Sequence, residues 1–321
     1  MGFSVKKTLK TAAPIVLGIF LVWYSYNSTT PAERSQIIHY ITNANLFWVG
    51  ISIGIGILSH ISRAIRWNFL LQPMGFAPKV TNNVLMILMA YLANLGIPRS
   101  GEILRATALT TYEKVPFEKG FGTIVTERII DLIMLFLIII IALILQTDII
   151  LEFLNNKGVG LFGTFVIVTI GIVGLVVGLF ILKKSKNNFA LKLKTFLNGL
   201  LDGILSILKM DKKWWFVFHT FFIWFCYIAM FWVIKFTVPE TETLTISQLL
   251  VAFVGGAFAM STTNGGVGLY PIAVGASLAI FGISEVSGDA FGWIMWIAQT
   301  LMVVVFGAIS FVLLPLLNRG R

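Results

Sequence analysis

Residues 82–105 read NNVLMILMAYLANLGIPRSGEILR, and this stretch decides the fold because its character changes partway along. The first part, 82–97, is apolar enough to enter a membrane, but it is followed by the much more polar 101–112. A proline and an arginine stand at the change. Whether the chain crosses the membrane here or turns back depends on the charges that flank the stretch on each side.

The composition of the whole chain is that of a membrane protein. Of its 321 residues, 57% are hydrophobic and only 12% are charged, and the mean hydropathy of +0.91 lies outside the range of soluble globular proteins. Several apolar runs are long enough to cross roughly 30 Å of hydrocarbon as helices. The runs lie at about 12–26, 46–62, 82–97, 122–146, 158–182, 213–238, 246–263, 270–282 and 290–316. We therefore predict an all-α polytopic membrane protein.

The chain lacks the sequence signatures of several functional classes. Its net charge of +10 comes from basic residues at the ends of apolar runs, where anionic lipid rather than nucleic acid is the natural partner. It contains no nucleophile-elbow, zinc-protease or nucleotide-binding motif. His39, His60 and His219 are too scattered for a metal site, and the single Cys226 excludes an internal disulfide. We expect neither an enzyme nor a cofactor, with membrane lipids as partners and homo-oligomerisation left open.

The distribution of charge predicts the orientation, because lysine and arginine concentrate on the cytoplasmic side of membrane proteins. Basic residues dominate the segment before the first run, the segment 183–213 and the C-terminal tail. Acidic residues outnumber basic ones across the four loops at 27–45, 147–157, 239–247 and 284–289. We expect a multi-pass protein of the plasma (inner) membrane, with both termini in the cytoplasm and the first run retained as an uncleaved helix.

The same rule makes 82–112 a re-entrant hairpin. Basic residues flank it on both sides, so the chain has to return to the side from which it entered. A second hairpin is predicted at 248–283, between two acidic loops, where TTNGGVG at 262–268 breaks the apolar run. Its second arm, 270–282, reaches only about 20 Å as a helix and is too short to span comfortably. The alternative is that either hairpin is a pair of full spans. This alternative leaves the flanking loops on the same sides of the membrane.

The resulting fold has six full spans and two oppositely oriented re-entrant helical hairpins. The order span, span, hairpin, span occurs in 1–150 and again, inverted, in 151–321, within a single transmembrane domain at 1–321. Inverted repeats of this kind are common in transporters, where broken helices meet near the middle of the membrane. An insertion at 187–209 has apolar residues at helical spacing and predicts an interfacial amphipathic helix.

The turn of the first hairpin carries the first candidate site, formed by Arg99, Glu102 and Arg105. Ser100 is suited to cap the second helical arm, whose free N–H groups and positive dipole end would then face inward beside Arg99. Such an arrangement suits a phosphate. Glu102 and Arg105 are three residues apart and placed to pair. The alternative is a cytoplasmic loop with an ordinary surface ion pair.

A second candidate site lies inside the apolar run 122–146, where Glu127, Arg128 and Asp131 are found. If the helix starts near Gly120, Asp131 lies about 16 Å along its axis, close to the middle of the membrane. Glu127 and Asp131 are four residues apart on one face and would repel each other unless they share a cation or a proton. Arg128 or the arginines of the hairpin would supply that cation. The alternative is a structural ion-pair cluster that holds the hairpin in place.

A third candidate is the pair Arg63 and Arg66, which stands at the cytoplasmic end of the second apolar run in the pattern RAIRW at 63–67. Arginine and tryptophan in this position most often anchor a helix at the membrane surface. The functional alternative is that the two arginines bind lipid head groups at the mouth of a cavity.

The glycine-rich break in the second hairpin forms the fourth candidate site. Three glycines within four residues permit close backbone approach and left-handed conformations, and the preceding amide is suited to cap a half-helix. A nest of backbone N–H groups for an anion and a tight turn for helix packing explain the motif about equally well. The residues concerned are Asn264, Gly265, Gly266 and Gly268.

These motifs together resemble a known family. The sequence ANLGIPRSGEILR at 93–105, followed by TERIIDL at 126–132, looks like the lysylphosphatidylglycerol synthase transmembrane region, or flippase-like, family. The patterns at 63–67 and 264–268 are similar to its two other signatures, so the resemblance covers nearly the whole chain. Members with a cytosolic synthetase domain make and flip aminoacylated phosphatidylglycerol, and this chain is expected to resemble the stand-alone members. One departure is the pair Tyr270-Pro271, where many relatives have Arg-Glu.

The resemblance implies a lipid flippase-like transporter. It would move an anionic or zwitterionic phospholipid, aminoacylated ones included, or a lipid-linked head group between leaflets. The phosphate would be held by three cations, Arg99, Arg105 and Arg128. The charge of these arginines would be balanced by three carboxylates, which alternatively hold a head-group amine: Glu102, Glu127 and Asp131. The alternatives are an intramembrane enzyme acting on a lipid-linked substrate, with one of the three carboxylates as its base, and a non-transporting membrane scaffold.

Overall fold

The computed structural model describes residues 5–149 and 210–319, together with four single positions between these segments. All regular secondary structure within them is helical, as the sequence predicts. The predicted amphipathic helix at 187–209 and the apolar run at 158–182 lie almost entirely outside the described residues.

Ten α-helices make up the described segments, and short 3₁₀ turns extend or connect some of them. In chain order they are α1 Val5–Ser28, α2 Pro31–Thr42, α3 Leu46–Leu71, α4 Val80–Gly96, α5 Ser100–Glu113, α6 Phe117–Leu145, α7 Lys213–Ile234, α8 Ile246–Thr262, α9 Leu269–Ala279 and α10 Glu285–Leu317. Most of each apolar run predicted inside the described segments lies in one of these helices.

Four helical segments are long and apolar enough to cross a membrane. They comprise 29, 29, 25 and 33 residues and contain α3, α6, α7 and α10: Leu46–Met74, Phe117–Leu145, Lys213–Thr237 and Glu285–Leu317. In contrast, α4, α8 and α9 are apolar but have only 17, 17 and 11 residues. At about 1.5 Å per residue, none of these three exceeds about 26 Å. The chain is therefore an integral multi-pass membrane protein in which long and short apolar helices are mixed.

Local sequence signals determine where some of these helices begin. Thr30 and Glu33 form a capping box at the start of α2. Thr245 and Gln248 form a second capping box at the start of α8. Both caps lie in loops predicted to face outward, and they provide partners for N–H groups that the first helical turn leaves without a carbonyl.

Two sharp breaks separate helices that then pack against each other, α4 with α5 and α8 with α9. At the first break, Arg99 has a φ of 64°, in the left-handed region that side chains disfavour. At the second break, Gly265, Gly266 and Gly268 have φ values of 63°, 76° and 72°. Glycine adopts this conformation at no steric cost, so the glycine motif is where the chain is able to turn.

A buried apolar core joins α7, α8, α9 and α10, with contributions from α2. At its centre the rings of Phe231 and Phe291 have their centroids 5.2 Å apart. Glycines let α9 and α10 approach closely, because a Cβ at Gly292 would lie 2.6 Å from the Pro271 Cα atom. Small residues commonly form such contacts between membrane helices, where packing replaces the hydrophobic effect.

The chain forms two compact units. One contains Met1–Arg128 and Lys212–Arg321, and the other contains Ile129–Asp211, so the boundary falls within α6. The division differs from the inverted halves 1–150 and 151–321 that the sequence predicts. The single transmembrane domain with an internal repeat stays a prediction.

Candidate functional site

A buried ion-pair cluster joins α3, α5 and α6. The Glu127 carboxylate lies between two guanidinium groups, with Oε2 2.6 Å from Arg105 Nη1 and Oε1 3.5 Å from Arg66 Nη2. None of the three side chains is more than 5% exposed. Buried charges need partners of opposite sign, because taking an isolated ion out of water is very costly. The carboxylate of α6 is therefore held by one arginine from each of the other two helices.

Aromatic and hydroxyl side chains complete the surroundings of the cluster. The Arg105 guanidinium carbon lies 3.6 Å from the centroid of the Trp67 ring, which is a close cation–π contact. Trp67 is fully buried, and its Nε1 donates to the Thr123 hydroxyl at 2.8 Å. Arg66 Nη1 donates to the Thr220 hydroxyl at 3.2 Å. These contacts orient both guanidinium groups without adding charge.

Arg63, one turn before Arg66 on α3, is also buried, with 3% of its surface exposed. Its Nη2 donates to the Tyr227 hydroxyl of α7 at 3.0 Å. Arg63 and Arg128 both lie near enough to Arg105 to repel it electrostatically. The two arginines of α3 thus belong to the interior of the unit rather than to its exposed surface.

A narrow cleft lies beside the cluster, formed by α4, α5 and the first part of α6. Its polar lining comes from Tyr91, Asn94, Glu102, Arg105 and Arg128. The Glu102 Oε1 atom pairs with Arg128 Nη2 at 3.0 Å, and these side chains are 20% and 44% exposed. The cleft volume is about 10 Å³, which is room for one water molecule.

The break between α8 and α9 lies against the end of α4 that leads into the first break. Asn264 Nδ2 donates to the Leu95 carbonyl oxygen at 2.7 Å. A Cβ added at Gly265 would lie 2.9 Å from the Leu95 side chain. The Gly265 carbonyl oxygen in turn accepts from Trp296 Nε1 of α10 at 2.8 Å. The two breaks are therefore neighbours in space.

The glycine turn between α8 and α9 packs closely against the backbone of α1. The N–H groups of Gly266 and Val267 donate within the turn, to Thr263 and Asn264 carbonyl oxygens. A Cβ at Gly268 would lie 2.5 Å from the Gly18 carbonyl oxygen of α1. Of the two interpretations of this motif, the geometry favours a tight packing turn over an open backbone nest for an anion.

Two expectations at the first turn are wrong. Ser100 does not cap α5, because its hydroxyl donates to the carbonyl oxygens of Ala93 and Ile97, and Arg99 occupies the cap position instead. Arg99 itself is exposed. Glu102 does not pair with its predicted neighbour on α5, because that arginine is bound to α6 and Glu102 pairs with Arg128.

The remaining predicted residues divide between the cluster and other places. The cluster itself consists of Arg66, Arg105 and Glu127. Three more of the predicted residues lie around it, namely Arg63, Glu102 and Arg128. Asp131 lies one turn after Glu127 in α6, within the second unit, and is partly buried. Whether any of these residues binds a ligand stays a prediction.

Several residues of the site were not predicted. The sequence patterns indicate Trp67 only as part of an anchoring motif and do not indicate Thr123, Thr220 or Tyr227. One sequence feature indicates such residues, namely an isolated polar side chain within an apolar run. Thr220 within the run 213–238 is an example.

The arrangement is suited to hold an anion. Among the described residues, the cluster and the cleft together hold four arginines, Arg63, Arg66, Arg105 and Arg128, against two carboxylates, Glu102 and Glu127. Guanidinium groups bind phosphate with two directed hydrogen bonds, and their charge is not lost at physiological pH. The site therefore has more cationic than anionic side chains, and its two carboxylates pair with three of the arginines.

Comparison with known proteins finds relatives of the chain. Residues 11–307 match a family model described as the lysylphosphatidylglycerol synthase TM region. A stretch of 99 residues is 30% identical to a UPF0104 membrane protein of Methanocaldococcus jannaschii and covers 30% of each chain. A stretch of 132 residues is 25% identical to the glycosyltransferase AglD of Haloferax volcanii and covers 40% of this chain and 21% of that protein. The chain spans less than a third of either curated relative. No solved structure matches it.

Proposed function

Because the chain belongs to the lysylphosphatidylglycerol synthase transmembrane family, we propose that it is a flippase-like transporter that passes a phospholipid head group through the cleft beside α4 and α5. The lipid is anionic or zwitterionic, aminoacylated lipids included, and its acyl tails stay in the bilayer. Membrane lipids are its partners, and the chain transports them without chemical change.

The observation that carries this proposal is the buried cluster of Arg66, Glu127 and Arg105 beside a cleft with further charged side chains. Ionisable groups in apolar segments are costly and most often mark a substrate pathway. The arginines are suited to bind the phosphate of a lipid. Glu127 keeps two of them neutralised until a lipid arrives.

The proposed route runs past two opposed re-entrant hairpins, α4–α5 and α8–α9. Their short arms favour re-entry, because α9 has 11 residues and a span needs about 20. Their breaks lie side by side through the hydrogen bond between Asn264 and Leu95. Non-helical backbone within a membrane is tolerated where protein buries it or a wet cavity reaches it. In the proposed topology the chain has six full spans arranged as an inverted repeat. It lies in the plasma membrane with both termini in the cytoplasm.

The narrowness of the cleft implies movement during transport. A volume of about 10 Å³ admits one water molecule and no complete head group. In the proposal this is a closed state of the route. Opening requires the α4–α5 pair to separate from α6, which breaks the ion pairs of Glu127 and Glu102 and frees their arginines for phosphate.

An intramembrane enzyme acting on a lipid-linked substrate is the second candidate, because one relative is named as a glycosyltransferase. In this case Glu102 is the carboxylate best placed to act as a base, since Glu127 is held between two arginines. Product formation from lipid-linked donors by the purified chain would favour this candidate over transport.

The test of transport is a leaflet assay in vesicles that contain the purified protein and phospholipids labelled on an acyl chain. A membrane-impermeant quencher should reach inner-leaflet label only when the protein moves lipid outward. In protein-free vesicles the inner-leaflet label is protected from the quencher, and its fluorescence is the protected signal. We expect wild-type protein to expose most of this label to the quencher and so to remove most of the protected signal. Arg105→Gln should slow this at least about tenfold, because it removes a charged partner of phosphate.

Arg319→Gln is the matched control, since this arginine is exposed near the C-terminus and should leave transport unchanged. Size-exclusion profiles must show that both variants are folded. A protected signal that is the same with wild-type protein as in protein-free vesicles contradicts the proposal.

A further inference from the structure

Two side chains that line the cleft have buried atoms without a hydrogen-bond partner among the described residues. They are Arg105 Nε and Nη2, which are donors, and Glu102 Oε2, which is an acceptor. Buried polar atoms are nearly always hydrogen-bonded, and each exception calls for an explanation. A ligand that brings both acceptors and a donor into the cleft would satisfy the two side chains together.

Glu102 is the carboxylate among the described side chains that line the cleft. Each oxygen of Glu127 faces an arginine, Arg66 or Arg105. Glu102 uses only Oε1 for its ion pair, and its partner Arg128 is 44% exposed. Ion pairs with a solvated member are weak, so this one yields readily to a ligand.

The hydrogen-bonding capacity of the head-group nitrogen restricts which group can satisfy Glu102. A primary ammonium group carries three N–H donors, as the lysine side chain does. A trimethylammonium group has no N–H to donate, so it would leave Glu102 Oε2 without a hydrogen bond.

We propose that the cleft selects phospholipids whose phosphate is followed by a primary ammonium group, with Arg105 binding the phosphate and Glu102 the ammonium, a specificity that rests on the proposed transport function. It narrows the substrate from any anionic or zwitterionic lipid to one class of head group. Glu102 is then a specificity-determining residue, whereas Glu127 serves to hold the arginines.

The charge around the cleft explains why the ammonium must come with a phosphate. The cleft lining has two arginines, Arg105 and Arg128, against one carboxylate, Glu102, and this excess of positive charge disfavours a free amine. A head group with both charges places its anion at Arg105 and its cation at Glu102. A purely anionic head group satisfies only the first of these two residues, and we expect it to be a poorer substrate.

A methylation series tests this with wild-type protein alone. Four acyl-labelled lipids carry ethanolamine, N-methylethanolamine, N,N-dimethylethanolamine or choline and have otherwise identical structures. In the vesicle assay we expect the transport rate to fall as N–H donors are lost, with ethanolamine at least about tenfold faster than choline. That ratio corresponds to the loss of one hydrogen bond to a charged group.

Substitution of Glu102 tests which residue is responsible. In Glu102→Gln the ratio of ethanolamine lipid to phosphatidylglycerol transport should fall at least about tenfold, because the ammonium loses its charged acceptor. Glu102→Asp should retain part of the preference. The control is Glu118→Gln, which removes an exposed carboxylate from the first turn of α6 and should leave the ratio unchanged.

The outcomes separate this specificity from transport itself. Equal rates for the ethanolamine and choline lipids overturn the specificity while transport stands. An equal slowing of every lipid in Glu102→Gln overturns the role of Glu102. If wild-type protein moves no phospholipid at all, both proposals are overturned.

Discussion

Glu127 illustrates how a single residue ties stability to the candidate function. Its carboxylate is 1% exposed and lies between Arg66 and Arg105. Without it, two buried guanidinium groups face each other with no charge between them. Removing one member of a buried ion pair costs about 3–5 kcal/mol, far more than the loss of an exposed pair. The residue is therefore constrained by folding even before any ligand is considered.

We predict that Glu127→Gln lowers the free energy of unfolding by about 3 kcal/mol, because the amide supplies no charge to offset the arginines. Denaturant titration in mixed micelles measures this change. The control Glu118→Gln removes an exposed carboxylate of the same helix and should change the free energy by less than about 0.5 kcal/mol.

A double variant checks the physical reason for that loss. Combining Glu127→Gln with Arg105→Gln removes a positive charge along with the negative one. The total loss should be smaller than the sum of the two single losses, because the residues are in direct contact. Strictly additive losses would show that the 2.6 Å pair does not contribute as described.

At the level of elements, the break between α8 and α9 places a glycine against the backbone of α1. Gly268 has a φ of 72°, and a Cβ there would lie 2.5 Å from Gly18 O and 2.8 Å from Val22 N. Gly282 has a similar φ of 81°, but nothing lies within 4 Å of its Cβ position. The two glycines therefore share the backbone conformation and differ in packing.

We predict that Gly268→Ala destabilises the protein more than Gly282→Ala does. The second change should cost about 1–2 kcal/mol for a side chain in the left-handed conformation. The first should cost a further 1–3 kcal/mol or so, because the backbone of α1 has to move. Unfolding of the two variants under identical conditions gives the difference. Equal losses would contradict a close contact between α1 and the turn.

For the whole molecule, the topology depends on how far the short helices reach. With 17 residues, α4 extends about 25 Å, less than the roughly 30 Å of hydrocarbon. A re-entrant α4–α5 hairpin leaves Arg99 within or near the membrane, whereas a pair of full spans delivers it to the outward face. The position of this one residue therefore distinguishes the two topologies.

We predict the sidedness of cysteines placed in a Cys226→Ala background. A cysteine at Lys114 should react with a membrane-impermeant reagent only from the cytoplasmic side, and one at Glu242 only from outside. A cysteine at Arg99 should not react from outside, because a re-entrant turn does not reach that face. Labelling at Arg99 from outside, as fast as at Glu242, would instead establish two full spans.

The sequence by itself determined the class of the protein and the places where helices form. A chain in hydrocarbon has to satisfy its backbone within each segment, so apolar runs such as 213–238 become helices whatever surrounds them. Glycines at 265, 266 and 268 predicted a break for the same local reason, since they tolerate a positive φ. Charged residues inside an apolar run, such as Glu127, stood out because lipid does not solvate them.

Only the tertiary structure decided which of these charges meet. Spacing along one helix suggested that Glu102 pairs with Arg105, but Arg105 pairs with Glu127 of α6 and with the ring of Trp67 of α3. Sequence periodicity describes the faces of a single helix, whereas pairing across helices depends on how they pack and where each one begins. A displacement of a few ångströms between helices would exchange these partners, since an ion pair weakens rapidly once water enters between its charges.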